Sequence, residues 1–114
     1  MREKRLIFTV ALLIVLTTDL WAQVALDEKN FPDETFRNII TELADINRDG
    51  ILSKSEITSV TILDIKQKGV RDLTGIKNLT KLETLQCSSN ELGELDVSGM
   101  QDLERLTCHV NLAV

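Results

Sequence analysis

From Val60 onward the apolar residues fall on a frame that repeats. Laying "LETLQCSSNELGEL" (Leu82 to Leu95) over "LERLTCHVNLAV" (Leu103 to Val114) puts Leu82 on Leu103, Leu85 on Leu106, Cys87 on Cys108 and Asn90 on Asn111, each 21 apart. A step of 22 in the other direction puts Val60, Leu63, Ile65, Val70 and Leu73 under Leu82, Leu85, Cys87, Leu92 and Leu95. Three units therefore share L-x-x-L-x-[C/I]-x-x-N-x-L-x-x-L, at about 60–81, 82–102 and 103–114, with Lys68 in the asparagine position of the first. The alternating heart of each unit predicts a short strand with one buried face. A single unit cannot cover that face, so units must stack, which predicts an α/β solenoid of about three rungs with a short parallel sheet along one side. Asn90 and Asn111 follow the strands, where a buried amide can satisfy stranded backbone groups of a turn.

The pattern ahead of the repeats has a different period. Phe36, Ile39, Ile40 and Leu43 lie at i, i+3, i+4 and i+7, which predicts a helix starting just after Pro32 with these four as its apolar stripe. Ser53 and Glu56 form an S-x-x-E capping box that opens a second, short helix. Residues 23–59 thus read as a helical cap in front of the repeats.

Residues 1–22 stand apart from both. Arg2, Lys4 and Arg5 precede the apolar run "LIFTVALLIVL", which is eleven residues long, and polar "TTD" and small Ala22 follow. This is the layout of a secretory signal peptide with cleavage after Ala22. The run is too short for a bilayer span, which takes about 20 residues. The protein reads as secreted, extracellular or at the cell surface. Of the chain's 13 Lys+Arg and 18 Asp+Glu, three and two lie in this segment, leaving a mature net charge of −6. A binder of phosphate backbones needs the opposite sign, so nucleic acid is excluded as a partner.

Between the two helices lies "DINRDGILSKSE", residues 45–56, which crowds three carboxylates into one loop. It fits D-x-[DN]-x-[DN]-G-x₅-E at every position. Asp45, Asn47 and Asp49 would offer side-chain oxygens, Ile51 its carbonyl, Ser53 its hydroxyl directly or through water, and Glu56 a bidentate carboxylate. Gly50 allows the sharp turn between them, and oxygen-only ligation favours calcium. The loop resembles those of EF-hands and dockerins. EF-hands usually come in pairs and this chain has one loop, so the calcium is expected to be structural, fixing the cap against the first repeat.

The repeat frame resembles the leucine-rich repeat, and its cysteine-bearing form resembles the short repeats of internalin-like bacterial adhesins. The run from "NFPDETFRNII" to "GELDVS" also resembles the N-terminal part of secreted repeat proteins of Bacteroidetes. The resemblance implies an extracellular protein-interaction or adhesion module, with a protein or surface ligand as partner. The outward strand positions would meet it: Ile62, Asp64 and Lys66, then Thr84, Gln86 and Ser88, then Arg105, Thr107 and His109. Two other readings are a dockerin-like calcium-dependent docking module and a truncated fragment of a longer adhesin. The second comes from the end at "NLAV", where Ala113 stands at a leucine position.

Catalysis finds no support in the motifs. There is no G-x-S-x-G, H-E-x-x-H or phosphate-cradling glycine loop, and the single histidine, His109, would face away from Cys108. Cys87 and Cys108 occupy the same inward position on neighbouring units. They read as buried thiols, since an unpaired cysteine behaves as a small hydrophobe.

Overall fold

The computed structural model describes residues 23–111. The signal-peptide expectation for 1–22 and the position of Ala113 lie outside them. The elements in order are β1 (Val24–Ala25), α1 (Glu34–Ala44), β2 (Ile51–Leu52), α2 (Lys54–Ser59), β3 (Ile62–Asp64), a 3₁₀ turn (Ile76–Asn78), β4 (Thr84–Gln86) and β5 (Arg105–Thr107). β1 pairs antiparallel with β2, while β3, β4 and β5 form a separate parallel sheet in that order.

Equal spacing in sequence becomes register in space. Leu63 pairs with Leu85 and Leu85 with Leu106, so each column of the sheet holds equivalent positions of the frame. Leu63 and Leu85 are fully buried. Leu106 continues their column yet is 45% exposed, because among the described residues no further strand stacks on β5.

Asparagine ties the units together. Asn90 Oδ1 accepts from the N–H groups of Lys68 (3.1 Å) and Val70 (3.0 Å), both in the preceding unit. Its Nδ2 donates to the carbonyls of Ile65 (2.8 Å), Cys87 (3.0 Å) and Ser88 (3.3 Å). Asn111 repeats the arrangement one unit on, donating to the Cys87 carbonyl at 2.9 Å and accepting from Leu92 N–H at 3.2 Å. The amide thus serves the unit before its own. The cap precedes the first unit, so no earlier turn calls for an asparagine at that position, and Lys68 suffices.

The outer surface adds a charge pattern. Residues 60–81 hold five Lys or Arg, whereas residues 82–102 hold five Asp or Glu and no base. Three pairs cross between them: Arg71–Glu91 at 2.9 Å, Lys77–Asp96 at 2.8 Å and Lys81–Asp102 at 3.6 Å. The hydrogen bond from Lys77 holds the Asp96 carboxyl well below the usual carboxylate range, helped by Ser98. Exposed pairs add little stability in water, so these three contribute little to holding the two units together.

The cap shares the repeats' core. Phe31 and Phe36 meet edge to face at 5.9 Å and join one cluster with Leu63, Leu79 and Leu85. Helix α1 is capped by Asp33, whose Oδ1 accepts from Phe36 N–H at 3.0 Å. Its buried stripe differs from the expected one. Phe36, Ile40 and Ala44 are fully buried, Ile39 is half-buried and Leu43 is 49% exposed. The face turned to the repeats is centred on i, i+4 and i+8, which leaves Ile39 and Leu43 on its border. Helix α2 opens on the expected capping box of Ser53 and Glu56.

The cysteines also depart from the expectation. They occupy the same inward column, with Cys87 fully buried and Cys108 half-buried, but the structure joins them as a disulfide instead of two separate thiols. The cause is the stacking itself. In-register neighbours lie one strand spacing apart, about 4.7–4.9 Å, which falls within disulfide reach. Their Cα atoms are 4.8 Å apart. Mass spectrometry after alkylation in denaturant should show no labelled cysteine until a reductant is added. Two labels without reductant would show free thiols stacked in the ladder.

Candidate functional site

The acidic loop links α1 to α2, and both of its ends are fixed. Asp45 ends α1, its N–H donating to the Thr41 carbonyl at 3.2 Å. Ser53 and Glu56 start α2. In between, Gly50 turns the chain at φ +77°, and Leu52 is fully buried next to exposed Gly50. The β1–β2 pair, invisible in the pattern of so short a segment, ties the loop to Val24–Ala25. Leu26 N–H adds a bond of 3.0 Å to the Gly50 carbonyl.

This framework gathers Asp45, Asp49 and Glu56, which offer one carboxylate oxygen each within 4.8 Å of one another. Asp45 and Glu56 are buried and Asp49 is exposed. Oxygens bound to one calcium ion at 2.3–2.6 Å lie at most about 4.6–5.2 Å apart, so this span fits a single coordination shell.

Backbone N–H groups hold the same carboxylates. Asp45 accepts from Gly50 N–H at 2.9 Å and from Asp49 N–H at 3.3 Å. Glu56 accepts from Ser53 N–H at 2.9 Å on one oxygen and Ile46 N–H at 2.7 Å on the other. Asp49 accepts from Ile51 N–H at 3.0 Å. Of the remaining predicted ligands, Asn47 donates its amide to Asp49 at 3.3 Å, Ser53 accepts from Glu56 N–H at 3.2 Å, and Ile51 lies in β2.

The N–H groups of Ser53, then Ile46 and Asn47, lower the pKa of Glu56 against the opposing effect of burial. A carboxyl depressed in the fold lends stability that is complete above its unfolded value, near 4.5, and is lost as the pH falls through the folded one.

On the sheet face, Asp64, Lys66, Arg105 and His109 are exposed, while Thr84, Gln86 and Thr107 are half-buried between neighbouring columns. Asp64 and Gln86 also fold their own turns, accepting from Lys66 N–H at 3.1 Å and Ser88 N–H at 3.0 Å. Ser88 does not belong with the outward set. It is only 8% exposed, and its hydroxyl accepts from His109 N–H at 3.1 Å, so it is covered by the next unit's turn. Ile62 is 65% exposed and gives the face an apolar point.

Asp33 is a joint that the sequence did not reveal. Its second oxygen accepts from the N–H groups of Arg71 (2.8 Å) and Asp72 (3.0 Å), which fastens the start of α1 to the first unit's turn. Burial works to raise its pKa, but bonds from Phe36, Arg71, Asp72 and Thr35 outweigh it and the net shift is downward. Its partners Arg71 and Asp72 lie 38 and 39 residues away, beyond the reach of any local pattern.

No family model matches the sequence. Internalin J of Listeria monocytogenes is 31% identical over 68 residues, 60% of this chain and 7% of that protein. Among solved structures, the internalin InlF of L. monocytogenes matches with a TM-score of 0.68 at 25% identity, over 76% of this chain and 26% of the other. The functional domain of InlJ from that species, which includes a cysteine ladder, matches at 0.61 and 26% identity, over 73% and 20%. The CBM51-2 and INT domains of Clostridium perfringens ZmpB match at 0.55 and 33% identity, over 68% and 16%. The chain spans a minor part of each of these proteins. Its likeness is to bacterial, internalin-type leucine-rich-repeat proteins.

Proposed function

We propose that this chain is an extracellular protein-interaction module of adhesin type: a leucine-rich-repeat solenoid whose sheet face meets a protein or surface ligand, with a structural calcium ion in its helical cap. The reading is one of binding, not catalysis. It rests above all on the register of β3, β4 and β5, which aligns equivalent positions of successive units into columns on one face. The internalin likeness supports the same role. Ile62, Asp64, Lys66, Arg105 and His109 are the exposed side chains on that face, and a partner would read them together.

The test is capture from bacterial and host surface extracts by the immobilised mature protein. A variant carrying Lys66→Glu and Arg105→Glu reverses two exposed charges whose side chains make no hydrogen bond or ion pair among the described residues, so it should fold normally. Loss of a specific captured protein with this variant is the expected result. Equal capture by both proteins, or none by either, would remove the sheet face as the binding surface.

Calcium would sit among Asp45, Asp49 and Glu56, with Asn47, Ile51 and Ser53 completing the shell. The ion would neutralise three clustered carboxylates and clamp α1 to α2. The β1–β2 pair favours a structural role, because the loop's own short strand is already partnered within the cap. An affinity on the order of 10⁻⁴–10⁻³ M suits an extracellular module. At about 10 mM calcium, that affinity gives about 1.4–2.7 kcal/mol of stabilisation by mass action. Glu56→Gln should abolish the calcium-dependent rise in Tm. Identical melting curves of the wild-type protein in calcium and in chelator would mean that the backbone N–H groups alone satisfy this loop.

A further inference from the structure

We draw no further inference here: the strongest candidate, the apolar surface patch of Leu106 and Val110 at the open side of β5, is an unpartnered face and nothing in the structure shows what covers it.

Discussion

Replacing Asn90 with alanine is expected to destabilise the protein by about 3–5 kcal/mol, the larger of the effects available to a single polar side chain in this fold. The substitution strips an acceptor from Lys68 and Val70 and a donor from the carbonyls of Ile65, Cys87 and Ser88. A buried backbone group left unpaired costs about 1–3 kcal/mol. Five groups at that rate would exceed the total, but the turn is near the surface and water can reach some of them. Asn111→Ala should cost less, since Asn111 is only half-buried.

Asn90→Asp distinguishes hydrogen bonding from lost volume. It keeps the acceptor for Lys68 and Val70 but turns an anionic oxygen toward the carbonyls that the amide served. That setting disfavours the charged form and raises the folded pKa above the unfolded one. The variant should therefore recover stability relative to wild type as the pH falls through the raised value, because only the protonated acid can donate. Chemical denaturation at two pH values reads the difference. An unchanged gap between the two proteins across pH would show that the carbonyls make no such demand.

How much of this was legible follows from how local each determinant is. The strands lie where the 21- and 22-residue spacing put them, because equal chain lengths between equivalent positions are what align columns in a stack. The Ser53–Glu56 capping box was equally readable, since both partners lie within one helical turn. Features set by a distant partner were not. Leu43 fits a helical stripe as well as Ala44 does, and only the position of the first repeat decides which is buried. Ser88 alternates correctly for an outward residue, yet the next unit's turn closes over it. Asn90 was read as a turn amide, but that it holds the preceding unit depends on the stacking distance. In the acidic loop, residue types foretold which carboxylates converge, while the backbone donors that hold them emerged only with the fold.

Gly75 is the other position where one methyl group should have a large effect. The residue sits at φ +106°, just before the 3₁₀ turn of the first unit. A Cβ there would lie inside 3.0 Å of the Phe31 ring and of the Asn30 carbonyl. Phe31 is fully buried in the core shared by cap and repeats, so its ring has nowhere to retreat. Gly75→Ala therefore combines a backbone conformation costing about 1–2 kcal/mol with an overpacking clash of about 1–3 kcal/mol. Together these give about 2–5 kcal/mol, a large part of the 5–15 kcal/mol that holds an ordinary domain together. Gly99 supplies the control. It has a similar left-handed φ of +80° but nothing within 4 Å of the added atom. Gly99→Ala should show the backbone cost alone, roughly 4–8 °C of Tm for each kcal/mol in a domain of this size. The difference between the two variants then measures how tightly the cap presses on the first repeat. If both melt at the same temperature, the cap yields at Phe31 and is not rigidly seated on the repeats.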